Sequence, residues 1–318
     1  MMGLKKIVID IIVISLAFLL FVIWYQNCIA DSVQMTAIPK QDNINVYLIT
    51  TDRGFEFWDK LNKGASDMAA LMGINYTWES PDVRSIEGQI ELINNAVEQG
   101  ADALLISADD PVMIADAVEN AVERGVKVIY VDSPANREAI ITLATDNYKA
   151  GVVAGQTLIT ILEDMRKLSG SIGIISLADK ANAQQRDKGF RQVLEEDGRY
   201  RILETVYVDG INPEEAQNAA ELMMRENDDL VALFGTGERT SIGVGNAIKA
   251  SGNQYVGIGF DRTTAMMKLL QDRNLNAIID QNPYTMGYLG MAEAVAAVKG
   301  RKTGPKYIDT GVTVYTRY

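Results

Sequence analysis

Acidic, amide and hydroxyl residues recur in this sequence at one kind of place, where a short apolar run gives way to a polar tip. The run VIYV at 128–131 ends in Asp132-Ser133-Pro134, and AIITLA ends in Thr145-Asp146-Asn147. The same transition occurs at Thr51 and Asp52, Ser107 and Asp109, Asp179, Gly237 and Glu238, Asp261 and Arg262, and Gln281 with Asn282. Phe55, Phe57 and Trp58 follow the first tip, and Arg186 lies shortly after the fifth strand-like run of that series. Together these groups suit a neutral polyhydroxylated ligand. Carboxylates take hydroxyl hydrogens, a guanidinium donates back, and an aromatic face covers C–H surface while excluding water. A single Asp after an apolar run is equally well a turn or cap residue, as Asp110 before Pro111 is; the joint pattern carries the argument.

What the chain lacks narrows its chemistry further. It has no histidine and one cysteine, Cys28, which excludes Ser-His-Asp and Cys-His catalysis, HExxH zinc sites, cysteine metal clusters and an intrachain disulfide. No Walker loop is present, and Gly235-Thr236-Gly237-Glu238-Arg239-Thr240 begins like a dinucleotide fingerprint without its third glycine. A formal net charge of -12 works against a sequence-independent grip on nucleic acid. The expectation is a binding protein with no catalytic residue, no metal and no cofactor. The rival from another class is a glycoside hydrolase using Asp132 and Asp261 as its carboxylate pair.

The elements that must hold the polar tips alternate between strand and helix patterns from Ile44 onward. Between Ser85 and Gln99, Ile86, Ile90, Ile93 and Val97 share one helical face, and Gly100 stops the helix. Strand ALLIS follows, then Asp110-Pro111 as cap and first residue of a helix to Arg124. The cycle restarts with a helix from Tyr148 to about Leu168 and strand SIGIIS. Helix Ala183 to Glu196, strand ILETVYV and a capped helix from Asn212-Pro213 to about Asn227 come next. Strand LVALF, helix Thr240 to Ser251, strand YVGIGF, helix Thr263 to Gln271, strand NAIID and helix Tyr284 to Lys299 complete the series. Alternation of this kind predicts parallel sheets covered on both faces, which bind ligands beyond the carboxyl ends of their strands. There are too many βα units for one small sheet, so the fold class is α/β with two doubly wound, Rossmann-like lobes facing each other.

Ahead of this body, residues 7–25 form a run of nineteen, apolar except at Asp10 and Ser15 and preceded by Lys5 and Lys6. Its length matches the hydrocarbon thickness, and the lysines place the N-terminus in the cytoplasm and the body outside. Residues 1–30 read as a membrane anchor or signal segment, retained as a single-pass helix, cleaved, or lipidated at Cys28. Residues 31–43 read as a polar stalk.

The segments FEFWDKLNKGA, GADALLIS, VIYVDS followed by ATDN, RDKGF, VGIGFD and IIDQNPYTMGYLG stand in an order that resembles the ribose-type periplasmic sugar-binding proteins. These are the type I solute-binding family, whose fold is shared with the effector domains of LacI-type repressors. The resemblance covers Ile44 to Tyr315. It implies that Phe57 and Trp58 sandwich a sugar, that Asp132 and Asp261 take hydroxyl hydrogens, that Arg186 donates, and that Gln281 is an amide at a hinge. Thr51, Asp52, Ser107, Ser133 and Gly237, read from the strand ends themselves, complete the candidate ligand-binding set. Hinge crossovers fall near Asp146, Gln281 and Asp309, giving one lobe of 42–145 plus 282–309 and another of 146–281 plus 310–318. Three departures widen the ligand from ribose to xylose, a hexose or a sugar-like signal molecule. Gly237-Glu238 stands where family members carry Asn-Asp, Ser133 replaces an arginine, and Phe55 replaces a polar residue.

The resemblance implies a partner in the membrane, either an ABC permease or, for an anchored sensor of the xylose-responsive type, a histidine kinase. It places the body at the outer face of a Gram-positive membrane or in a periplasm. A cytosolic repressor would need a helix-turn-helix ahead of Ile44, where the apolar segment and stalk stand.

Overall fold

The computed structural model describes residues 43–178, 180–209 and 212–317. The expected anchor and stalk, and Asp179, lie outside the described residues. Among those described, no helix is long and apolar enough to cross a membrane.

The chain begins with β1 (Asn45–Ile49), α1 (Glu56–Met72), β2 (Asn75–Glu79), α2 (Ile86–Glu98) and β3 (Ala103–Ile106). It continues with α3 (Ala115–Glu123), β4 (Lys127–Val131), β5 (Ile141–Ala144), α4 (Asn147–Asp164) and β6 (Gly170–Leu177). Then follow α5 (Ala181–Asp197), β7 (Tyr200–Ile202), β8 (Val206–Val208), α6 (Pro213–Glu226), β9 (Leu230–Gly235) and α7 (Glu238–Ala250). It closes with β10 (Val256–Phe260), α8 (Thr264–Gln271), β11 (Ala277–Gln281), α9 (Pro283–Val298), β12 (Tyr307–Asp309) and β13 (Val312–Thr316).

Two sheets result. One has the order β12-β5-β4-β3-β1-β2 and is parallel throughout. The other runs β13-β11-β10-β9-β6-β7, with β8 also on β6, and β13 is antiparallel to β11. Central strands such as ALLI of β3 and VGIGF of β10 are buried at every position, because helices cover both faces. The chain passes from the first sheet to the second after β5, returns after β11 into α9, and passes back between β12 and β13.

Several boundaries differ from the sequence expectation. The helix expected at Pro111 starts at Ala115, because Asp110 Oδ1 accepts from the Val112 and Met113 N–H groups, both at 2.8 Å, and closes a turn first. ILETVYV divides into β7 and β8: the Thr205 hydroxyl donates to Asp187 Oδ2 at 2.7 Å and accepts from Arg191, which pulls the middle of the run out of the ladder. α4 stops at Asp164 instead of Leu168, since Arg166 adopts φ 57° and the Lys167 N–H turns back to Leu162 O.

Candidate functional site

β4 and β10, one from each sheet, end in the same way. Asp132 and Asp261 directly follow them with φ of 67° and 71°, the left-handed region that costs an L-residue about 1–2 kcal/mol. The Asp132 N–H donates to Leu143 O and the Asp261 N–H to Ile279 O, each at 2.9 Å, so both peptides stay tied to the next strand. The same backbone geometry thus recurs at the carboxyl end of one strand in each sheet, the end at which open α/β sheets bind ligands.

Between these carboxylates stands Arg186 of α5, 3% exposed. Its Nε donates to Asn147 Oδ1 at 2.8 Å and its Nη1 to Thr236 O at 2.9 Å, while the guanidinium lies 3.7 Å above the Phe260 ring centre. Burial pulls the guanidinium below its ordinary pKa, and the charges of Asp261 and Asp132 oppose that shift. Asp132 is pushed up, chiefly by the depth of its carboxyl and further by Asp261; Ser133, Arg186 and Ser107 pull it back. The residue as a whole is half-buried. The three groups therefore act on one another across the gap between the sheets.

The other expected residues take varied places around this centre. The Ser133 hydroxyl donates to Asp132 Oδ2 at 2.7 Å and the buried Ser107 hydroxyl to the same oxygen at 3.4 Å. Gln281 Nε2 donates to Asp261 Oδ1 at 2.7 Å, orienting that carboxylate, while its own Oε1 is buried without a partner among the described residues. Phe57 and Trp58 meet edge to face at 4.8 Å. Trp58 is 7% exposed and belongs to the apolar cluster of its lobe, so it also serves the core. Asp52 accepts from the Gly54 N–H and the Thr51 hydroxyl, which shapes the tip after β1. Gly237 precedes α7, and its N–H donates to Thr240 Oγ1 at 3.0 Å.

Some strand-end residues turn elsewhere. Arg262 pairs with Asp280 at 2.8 Å and lies over Tyr315. Asp109 is paired with Arg84 and, across the gap, with Lys180 at 3.3 Å. Asp146, Asn282 and Asp309 sit at the crossings. Asp309 Oδ1 accepts from the N–H groups of Asp146 and Gly311, and Asn282 Nδ2 donates to Thr310 O at 2.7 Å. A cavity of about 240 Å³ lies against Thr145, Lys149, Asp309 and Val312; none of Asp132, Arg186 or Asp261 lines it.

On a further rim, sequence reading named Phe55, Glu238 and Arg262 but missed Glu56, Lys60 and Arg239, which meet them. There Glu56 of α1 accepts from the Thr264 N–H at the start of α8, Lys60 donates to Arg262 O, and Arg239 lies 4.4 Å over the Phe55 ring. Glu238 shares this rim and is pushed up to about 7, first by burial, then by Asp261 and Glu56, against the pull of Arg239 and Lys60. The signal for this rim was faint, because Glu56 and Lys60 lie on a helix where charges ordinarily face water.

Two sheets presenting their strand ends to each other, three crossings between them and charged groups meeting in the gap define a two-lobed, type I ligand-binding protein. Residues 46–302 match the periplasmic binding protein domain, and the chain belongs to that family, one of solute-binding proteins rather than enzymes. It is 27% identical over 247 residues to the ribose import binding protein of Bacillus subtilis, covering 77% of this chain and 79% of that one. A sugar-binding protein of a sugar ABC transporter from Bacillus halodurans superposes with a TM-score of 0.80 at 25% identity, over 86% of this chain and 97% of that one. An ABC transporter solute-binding protein from Burkholderia graminis, in complex with D-arabinose, gives 0.79 at 26% identity, over 88% and 97%.

Proposed function

We propose that this protein binds one monosaccharide, pentose-like in size, between its lobes and presents the closed form to a membrane partner. The observation that carries the reading is Arg186, buried between Asp132 of one lobe and Asp261 of the other. Each carboxylate has one oxygen hydrogen-bonded by the protein and another with no donor among the described residues, and a sugar supplies hydroxyl donors. Phe57 and Trp58 cover the sugar's apolar face, with Thr51, Asp52, Ser107, Ser133, Gly237 and Gln281 around it. Ribose and D-arabinose, named for the relatives, set the expected ligand size.

Asp146, Gln281 and Asp309 mark the hinge, and the lobes divide as 42–145 plus 282–309 and 146–281 plus 310–318. Because the ligand touches both lobes only when they close, it shifts the population by its differential affinity for that state. Residues 1–30 direct the body to the outer membrane face, as retained anchor or processed signal, and the partner is an ABC permease or a sensor histidine kinase. Whether adjacent genes encode a permease or a kinase with its response regulator separates these two. Isothermal titration of the folded protein against pentoses and hexoses tests the binding reading; absence of heat from every sugar ends it.

A further inference from the structure

We infer that Asn147 is a positioning residue, which from the first passage between the sheets holds the guanidinium of Arg186 in the orientation that meets a sugar. This rests on the cleft being a sugar site and adds to it a residue that acts through another.

Asn147 opens α4 directly after Asp146, where the chain has just left β5 for the second sheet. Its Oδ1 accepts from Arg186 Nε at 2.8 Å, and its Nδ2 donates to Thr145 O at 3.1 Å. A guanidinium has no acceptor and a carbonyl no donor, so the amide can take only this orientation. Arg186 has one other hydrogen bond among the described residues, from Nη1 to Thr236 O at 2.9 Å, and the Phe260 ring centre lies 3.7 Å from the guanidinium. Thr236 is tied to β6 through its N–H, which donates to Ile175 O at 3.1 Å. One bond fixes a point and the ring limits tilt, but the guanidinium plane can still swing about that point. Asn147 stops the swing. The N–H groups left on Nη1 and Nη2 are thereby aimed, which a directional bond to a sugar hydroxyl requires.

The holder is itself held. The Asp146 N–H donates to Asp309 Oδ1 at 3.0 Å, and Asp309 ends β12 in the first sheet. The Lys149 N–H returns to Asp146 Oδ1 at 3.1 Å, and its Nζ pairs with Oδ2 at 2.7 Å. The segment that carries Asn147 is thus gripped from both sheets, so Arg186, a residue of the second lobe, is also referenced to the first. The same device stands at the second passage. Gln281 ends β11 there, and its Nε2 donates to Asp261 Oδ1 at 2.7 Å. Each of these two passages therefore carries an amide that aims one charged group of the site, and a hinge turn at either moves that group with it.

The test is a double-mutant cycle on the full-length chain, with Asn147→Ala and Arg186→Lys made singly and together and affinity measured by titration calorimetry. D-ribose, D-arabinose, D-xylose and D-glucose are titrated first, and the tightest binder is carried through the cycle. Lysine keeps the cation without the planar fork that Asn147 orients. Asn147→Ala is expected to weaken binding about tenfold in the wild-type background and less than about twofold in the Arg186→Lys background. Where a variant binds too weakly for calorimetry, the rise of its urea midpoint in excess sugar gives the same comparison. Asn147→Asp keeps an acceptor for Nε and loses only the bond to Thr145 O, so it should bind within about threefold of wild type. Equal losses in the two backgrounds, or Asn147→Asp binding no better than Asn147→Ala, overturns the inference and leaves the sugar reading standing. If none of the sugars binds the wild-type chain, both fall together.

Discussion

The two lobes solve one packing problem identically and divide the chemistry unequally. In the first, α1 crosses α9 so closely that a Cβ on Gly64 would lie 2.0 Å from Tyr284 O, and one on Gly287 2.0 Å from Leu61 O. In the second, α4 crosses α5 with Gly151 against Arg186 O and Gly189 against Tyr148 O, again at 2.0 Å. Each lobe also ends a central strand in a left-handed aspartate. The difference lies in what stands at the crossing. In the second lobe it is the backbone of Arg186, so that scaffold and site share a residue. In the first it is Tyr284, whose side chain is exposed and donates to Asp67. Damage to the second crossing should reach the ligand directly through Arg186, while damage to the first should reach it only indirectly, through Phe57 and Trp58 at the start of α1.

The sharpest way to break this comparison is Gly64→Ala beside Gly151→Ala. Neither crossing can admit a methyl group without separating two helices, so each variant should lose about 3 kcal/mol, read as a lower urea midpoint. Among molecules still folded, Gly151→Ala should weaken sugar binding more, because it displaces the backbone of Arg186 itself, whereas Gly64→Ala acts one to two turns away from Phe57 and Trp58 on α1 and should weaken it less. Equal affinities would show that the two crossings stand in the same relation to the site.

The paired aspartates come next. Asn tolerates the left-handed region, so Asp132→Asn and Asp261→Asn should preserve stability and remove the anionic acceptor, weakening sugar affinity by about 1.5–3 kcal/mol. Gly at either position should bind as poorly while unfolding no earlier than wild type, and Ala should lose about 1 kcal/mol of stability as well. A Gly variant that binds normally would remove that carboxylate from the site.

How much of this was legible beforehand follows from where each signal resides. The helix faces and buried strands were readable because burial on both sides leaves continuous apolar runs such as ALLI and VGIGF. β2, NYTWE, escaped because an edge strand with partly exposed positions carries too few apolar residues to stand out. The polar tips could be read one by one, since an aspartate where an apolar run stops is local information. That Asp132, Arg186 and Asp261 act on one another is not local, nor is the rim where Glu56 meets the Thr264 N–H; both depend on how the lobes face each other. Trp58 shows the ambiguity in miniature, as an aromatic residue beside a cleft that also fills a core.

A pH series separates the lobes in another way. Glu238 belongs to the second, with a folded value of about 7 against an ordinary 4.5. At this group the native state then holds more protons than the unfolded state between those values, so the stability it contributes is greatest below about pH 4.5. That contribution declines as pH rises and levels off above about pH 7. Asp132, raised in the first lobe, adds a decline of the same sign. The urea midpoint should carry a decline from pH 5 to pH 8 from these two groups, and Glu238→Gln should flatten the upper part of it. A profile unchanged by this variant would assign the dependence to Asp132 alone.

The smallest effects belong to the two rims. On one, Glu56 satisfies the Thr264 N–H at 3.0 Å, a cap given to α8 by the opposite lobe; on the other, Lys180 reaches Asp109, which also has Arg84. Glu56→Ala leaves a helix N-terminus short of an acceptor and should weaken closure by about 0.5–1 kcal/mol, roughly two- to fivefold in affinity. Lys180→Ala leaves Asp109 with a partner and should change affinity by less than about twofold. Both contacts form only when the lobes meet, so the change should appear in the rate of ligand release rather than of capture, measured by stopped-flow fluorescence. If Glu56→Ala leaves release unaltered while Lys180→Ala speeds it, the order of the rims is reversed and the Asp109 side bears the closing force.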